Sequence, residues 1–380
     1  MTTPAVPAVI PAQAGAPHPA PAPGPARRGR LYTLDGLRLV AALIVVAFHF
    51  VAFDNWSTPV WGKSTAVIFP TAHPIASYGW LGVQLFFLIS GFVICMSCWG
   101  RSVKDFAISR VIRLYPAYWF AVLLTAGVML WAHGMAQTGY TPSKILANLT
   151  MLQEPMGAGD IDPVYWTLWT ELRFYLLFGI VAALGVTYRR VVVFCAVWLL
   201  MSVLAPHSGI DLIQLMAMPD AAPFFVAGVV MFLMHRFGTK PELWLLLGLS
   251  WLLAQNQLPN LMQTAEGSVK HQLSWGICLA VITVFYLLVL GVALGRLRFF
   301  NRKWLTTAGA LTFPLYLLHE ELGWEIIRRL HTDVAAWPLL GGILAVMLIA
   351  SWLVHRFIER PSAKAMKKWL TGAGPAATRG

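Results

Sequence analysis

Charge is what this sequence has least of. Asp, Glu, Lys and Arg make up 12% of its 380 residues while hydrophobic residues make up 58%, and a soluble domain carries about 25% charged residues. That scarcity excludes an ordinary water-soluble domain. Acidic groups are fewest, 16 against 28 basic, for a net charge of +12. The basic residues sit at the ends of apolar runs rather than on one stretch that a nucleic acid would cover, so nucleic acid is not an expected partner. Cysteine is rare: Cys95, Cys98, Cys195 and Cys278. All four lie in or beside apolar runs. Cys95 and Cys98 have CxxC spacing but no second ligand pair, so they read as small hydrophobes and no metal is expected. No internal repeat is visible, which disfavours the common transporter architectures. The Pro- and Ala-rich first 26 residues contain no apolar block that would serve as a signal-peptide core.

What is present is a succession of apolar segments. Hydropathy places about ten spans, near 34–53, 79–98, 115–133, 164–186, 191–205, 216–235, 242–258, 273–294, 306–322 and 338–357. The expected fold is all-α, a polytopic membrane protein of about ten transmembrane helices. Residues 1–30 read as a Pro/Ala-rich cytoplasmic tail with a basic end, 31–360 as the membrane domain, and 361–380 as a basic cytoplasmic tail. The loops assigned to the inner side hold twelve Lys and Arg residues, among them Arg101, Lys104, Arg189, Arg190, Arg296 and Arg302. The outer loops hold five: Lys63, Lys144, Lys270, Arg328 and Arg329. That bias predicts a multi-pass protein of the cell membrane with both termini cytoplasmic.

Against this apolar background, ionisable groups within spans are costly and usually functional. The stretch from Leu31 to Asp54 carries Asp35, Arg38 and His49. Arg38 and His49 are eleven residues apart, three turns with about 20° of drift, so they share one face about 16 Å apart along the axis. Asp35 lies one turn before Arg38 on that stripe. A plainer reading has Asp35 and Arg38 snorkelling at the interface and His49 as a satisfied core histidine.

Other spans repeat the pattern. Ser90-Gly91 is a small pair that lets a neighbouring helix approach. Arg110 and Arg113 stand one turn apart before Tyr115, Pro116, Tyr118 and Trp119. They read either as a phosphate clamp or as positive-inside anchors with an aromatic belt. The run from Trp166 to Phe178 carries Glu171 and Arg173, 200° apart on a helix, so each needs its own partner. Tyr316 and His319 share a face near the outer end of the ninth span. His49, Glu171 and His319 thus fall at similar depth toward one membrane surface, and Arg38, Arg110 and Arg113 toward the other. The arrangement is two-ended, cationic inside and acid–base outside. It is compatible with catalysis or with a transporter whose buried Arg, His and Glu relay protons or substrate.

Six motifs in order give the sequence a resemblance to the acyltransferase-3 family of membrane acyltransferases, over about residues 31–363. They are the Arg-x10-His pair (Arg38, His49), FFxxSGF (86–92), Arg-x-x-Arg before Tyr-Pro (Arg110, Arg113), the Trp-Thr-Leu-x-x-Glu-x-x-Phe-Tyr run from Trp166 to Tyr175, Tyr-Leu-x-His (Tyr316 to His319) and Glu-x-Pro (Glu359, Pro361). Gln84, Leu172 and Arg173 depart from the residues common in that family. The resemblance implies a cytoplasmic acyl-CoA donor, no metal, and transfer of an acyl group, acetyl being the expected one, to a hydroxyl, often on a sugar of a glycan or glycosylated small molecule. On that reading His49 is base or acyl carrier, Glu171 its orienting carboxylate, and His319 positions the acceptor. Arg38, Arg110 and Arg113 bind the donor, with Asp35, Ser90, Trp166, Tyr175 and Tyr316 in support. Homo-oligomerisation stays open.

Overall fold

The computed structural model describes residues 31–54 and 59–371, and among them every regular element is helical. The chain opens with α1 (Tyr32–Ala47), which runs into a π turn, Phe48–Ala52. Two short helices, α2 (Thr65–Ile68) and α3 (His73–Ala76), precede α4 (Gly82–Cys98). The longest helix, α5 (Val103–Thr138), is followed by α6 (Pro142–Leu149) and α7 (Trp166–Ala183). Next come α8 (Tyr188–Leu204), α9 (Asp211–Ala217), α10 (Ala222–Phe237), α11 (Pro241–Val269) and α12 (Trp275–Ala293). The last section holds α13 (Leu305–Leu318), α14 (Glu320–Leu330), α15 (Ala336–Val354), a second π turn at His355–Glu359, and α16 (Arg360–Thr371).

All ten segments expected from hydropathy fall on helices. Among the described residues, six helical stretches are long and apolar enough to cross a bilayer, or seven if the bent pair α9–α10 counts as one span. The 14-residue α13 is apolar but shorter. Length and composition thus qualify six or seven of the ten. Residues 1–30 and 372–380, most of the two expected tails, lie outside the described residues; 360–371 form α16.

The packing centre is α10. Every residue from Ala222 to Met234 is buried, as expected of a helix apolar all round. Its closest neighbour is α4, and glycines set that approach. A Cβ on Gly91 would run into the Phe225 carbonyl, and one on Gly228 into the Leu88 carbonyl. The small residue expected to admit a helix therefore does so at Gly91, met by a second glycine from the partner. A stack of rings carries the core outward to α7 and α8: Phe225 lies 4.3 Å from Phe174, and Phe174 lies parallel to Trp198 at 5.5 Å. On the other side α1 meets α4 where Gly82 faces the Ala41 carbonyl, and meets α13 where Gly309 faces the Asp35 carboxylate.

Two local features depart from the hydropathy reading. Arg110 and Arg113 lie inside α5, which begins at Val103, rather than in a loop before it. Tyr115 and Trp119, expected to anchor an interface, donate instead to carbonyls of Thr150 (3.1 Å) and Leu149 (2.9 Å). Gly134, at φ 72° and ψ 170°, breaks α5, and α6 packs back along it. A stretch counted as an outer loop is therefore folded against the helix that carries the Arg pair. Inside it Asn148 is fully buried, donates to the Lys144 and Gly159 carbonyls and accepts from the Ile161 amide.

Candidate active site

The first part of the site is built on the end of α1. An ordinary helix carries each carbonyl to the amide four residues on, whereas here the Phe53 amide reaches Phe48, five residues back, at 2.8 Å. Side chains from elsewhere satisfy carbonyls of this wider turn: Trp324 donates to His49 (3.0 Å), Trp61 to Phe50 (2.9 Å) and Thr65 to Ala52 (3.2 Å). Such π turns recur at functional sites because they re-aim a side chain. Here the re-aimed side chain is His49. Its Nδ1 lies 2.9 Å from Nε2 of His319, 270 residues away, and its Nε2 lies 3.7 Å from Oε2 of Glu320.

Hydrogen-bond arithmetic assigns the protons of the neutral pair. Nδ1 of His319 is 2.8 Å from the Tyr316 carbonyl, which only accepts, so this nitrogen carries the hydrogen. Nε2 of His319 then accepts, and Nδ1 of His49 donates to it. The lone pair of His49 is left on Nε2. His319 is fully buried and Glu320 nearly so, and Oε2 of Glu320 has no hydrogen-bond partner. The Trp324 ring stands edge-on to His49, 6.1 Å between centroids. Farther along α14, Glu325 takes the His133 side chain of α5 at 2.8 Å and the Arg329 guanidinium at 2.6 Å, which holds this helix against α5.

The second part is a cavity of about 670 Å³, counting its open side, between α1, α4, α5, α7 and α13. Its polar lining is Arg38, Arg113, Glu171, Ser90, Tyr175, Thr167, Thr312 and Tyr316, among Phe86, Phe87 and Phe313. Ser90 Oγ donates to Oε1 of Glu171. Arg38 has Arg113, Glu171 and Asp35 as charged neighbours. Arg113 is the exposed member and Arg38 is half-buried. Tyr316 Oη shares a hydrogen bond of 2.8 Å with Thr167 and ties α13 to α7. The backbone carbonyl of that same tyrosine holds His319, so the cavity wall and the histidine pair are adjacent on α13.

The residues singled out in the sequence divide between these two parts. His49 and His319 come together; Arg38, Arg113, Glu171, Ser90, Tyr175 and Tyr316 come together around the cavity. Glu171 bonds Ser90, while His49 has His319 and Glu320 beside it. Arg110 is not in the cavity lining; it lies over the rings of Phe106 (5.8 Å) and Tyr175 (5.9 Å). Trp166 is 44% exposed and edge-on to Phe87. Arg173 has its own partners, as the 200° separation requires, donating to the Leu215 carbonyl (2.8 Å) and Thr170 (3.0 Å). Sequence reasoning missed Glu320 and Trp324. The signal present was their spacing from His319, one and five residues on; Trp324 therefore lies a little over one turn along α14 from Glu320. Among the described residues no group of three His, Cys, Asp or Glu side chains is arranged to hold a metal ion.

The folded segment before α7 borders this region. Asp162 is fully buried; its Oδ1 accepts from the Val164 amide (3.2 Å) and its Oδ2 from the Glu321 amide (3.3 Å). Burial, with Glu321 close by, pushes the Asp162 carboxyl well above the usual range. Asp160, bonded by Gln153 at 2.7 Å, is pushed up to about 7, chiefly by burial.

Comparison with known proteins bears on what such a site does. The model of the acyltransferase-3 family, described as an acyltransferase domain, matches residues 31–356. The chain is 26% identical to "Acyltransferase MdmB" of Streptomyces mycarofaciens over 379 residues, covering 87% of this chain and 91% of that one. It is 28% identical to "Nodulation protein 10" of Rhizobium leguminosarum bv. viciae over 181 residues, 43% of this chain and 47% of the relative. It is also 34% identical to "Exopolysaccharide production protein ExoZ" of Rhizobium meliloti (strain 1021) over 108 residues, 27% of this chain and 33% of the relative. No solved structure matches.

Proposed function

Because the chain belongs to the acyltransferase-3 family of membrane acyltransferases, we propose that it moves an acyl group, acetyl in the simplest case, from cytoplasmic acyl-CoA to a hydroxyl on a sugar of a glycan or glycosylated metabolite. The observation that carries this reading is the hydrogen-bond chain from the Tyr316 carbonyl through His319 to His49. It leaves the His49 lone pair on Nε2, the nitrogen beside Glu320, which is the form a general base needs. The hydroxyl oxygen attacks the thioester carbonyl while its proton passes to Nε2. The carbon–sulfur bond breaks, and the sulfur leaves as thiolate and takes up the proton. His319 keeps His49 in the basic tautomer, as the third group of a triad does. Glu320, 3.7 Å from Nε2, stabilises the cation that forms.

Arg38 and Arg113 supply cations at the cavity for the donor's phosphates, with Arg110 behind Tyr175. The bond from Ser90 holds the Glu171 carboxylate in the same cavity lining as the two arginines and Tyr316. A sugar hydroxyl as acceptor draws support from the relative named for exopolysaccharide production. Both termini are assigned to the cytoplasm from the Lys and Arg bias. The test is turnover by the purified full chain in detergent, with no gradient, supplied with acetyl-CoA and candidate glycosides. Free thiol and acetylated acceptor released in equal amounts are expected. Acetyl-CoA left intact across an acceptor panel that includes the cell's own glycan extract would overturn the reading in favour of transport.

A further inference from the structure

The side of α7 turned away from Glu171 carries a second feature. At 100° per residue, Leu177, Ile180, Val181 and Leu184 lie between about 180° and 280° from Glu171, and they form one wall of a large groove closed by α8 and α9. The groove encloses about 910 Å³, at the upper end of the ~300–1,000 Å³ of ordinary small-molecule pockets. Its floor along α8, from Val193 to Met201, is apolar, and several of the lining side chains face outward: Ile180 is 59% exposed and Val197 52%. One end is different. Arg189 and Arg190 both line the groove there. Arg190 is held by its Nη1, which donates to the Leu184 and Gly185 carbonyls where α7 ends. Arg189 beside it is exposed.

The dimensions and the charge select the occupant. From Arg189 to Met201 is twelve residues, about 18 Å of helix, slightly over half the ~30 Å hydrocarbon core. An apolar slot one leaflet deep and open on the bilayer side takes up hydrocarbon rather than water or glycan. Two guanidinium groups at its polar end match phosphate oxygens, and they disfavour a headgroup that also carries a cation. We propose that the groove between α7, α8 and α9 is a binding site for an anionic glycerophospholipid, its phosphate at Arg189 and Arg190 and one acyl chain along α8. The bound lipid braces the back of α7. The Arg173–Leu215 bond already ties α7 to α9 there, and Leu215 is next to Met216 of the groove. This site is independent of the acyl-transfer reading.

The experiment is native mass spectrometry of the purified full chain titrated with phosphatidylglycerol or phosphatidylcholine, followed by labelling with phosphatidylglycerol bearing a photoreactive chain. Retention of phosphatidylglycerol should exceed that of phosphatidylcholine about tenfold or more, the size that two Arg–headgroup contacts give. Label should fall on α8 between Val193 and Met201. Arg189→Gln, an exposed position that leaves the backbone bonds of Arg190 intact, should reduce the preference severalfold, and Val197→Trp should block labelling without changing the thermal midpoint. Equal retention of the two lipids, a preference unchanged in Arg189→Gln, or label confined to the basic helix α16 would overturn the proposal.

Discussion

Replacing His319 isolates the part of the mechanism that depends on one hydrogen bond. His319→Ala removes the side-chain acceptor 2.9 Å from Nδ1 of His49 and leaves that N–H with the Val45 carbonyl and a space the imidazole occupied. Losing the better acceptor of a buried donor costs about 1–3 kcal/mol. The His49 proton escapes that cost by moving to Nε2, the nitrogen that must stay bare to act as base. The basic tautomer should therefore fall, and kcat with it, by about 5- to 150-fold at 1.36 kcal/mol per decade. Donor KM should hold, because Arg38 and Arg113 line a cavity that His319 does not. His319→Gln keeps a carbonyl oxygen within reach of Nδ1, so it should recover most of the loss. The assay is steady-state acetyl-CoA turnover on both variants, with thermal midpoints to show that they fold. A kcat equal to wild type in His319→Ala, or a Gln variant as impaired as Ala, would refute the tautomer argument.

Arg113→Ala should raise donor KM severalfold with kcat little changed, read from the same assay varied in acetyl-CoA. Gly228→Ala should lower the thermal midpoint sharply, since the new Cβ meets the Leu88 backbone; overpacking costs about 1–3 kcal/mol or more. Gly127→Ala, which meets nothing within 4 Å inside α5, should leave the midpoint unchanged or raise it slightly, because Ala favours the helix over Gly. Asp160 is raised from 3.8 to about 7, so between those values the folded chain holds a proton that the unfolded chain has released. Its contribution therefore falls as pH rises through about 7. Amide exchange across 150–163 should quicken over that window, and Asp160→Asn should remove the dependence.

Much of the site was legible because membrane spans make ionisable residues conspicuous. Arg38, Arg113 and Glu171 stand out in apolar runs, and the cavity gathers them. The pairing of His49 was not legible. Its Nδ1 partner is 270 residues away, and the face argument for Arg38 and His49 assumed a regular helix, whereas the π turn at Phe48–Ala52 rotates the end of α1. The carboxylate beside His49 is Glu320, and nothing in the sequence pairs the two across 271 residues. The region between α5 and α7 was misjudged for a related reason. Hydropathy sees 139–163 as polar and assigns it to water, but its polar groups are consumed internally, by Asn148, Asp162 and the bonds to Tyr115 and Trp119. The tight helix contact was half legible: Gly91 signalled a close approach, but nothing in the sequence named Gly228 as its counterpart.

The central claim is that His49 is the base. The measurement that reaches it most directly is kcat for His49→Ala, purified, folded and supplied with acetyl-CoA and acceptor. A loss of at least ~10²-fold is expected, the lower range for general acid–base catalysis, with donor binding retained through Arg38 and Arg113. Turnover within a few-fold of wild type in that variant would contradict it.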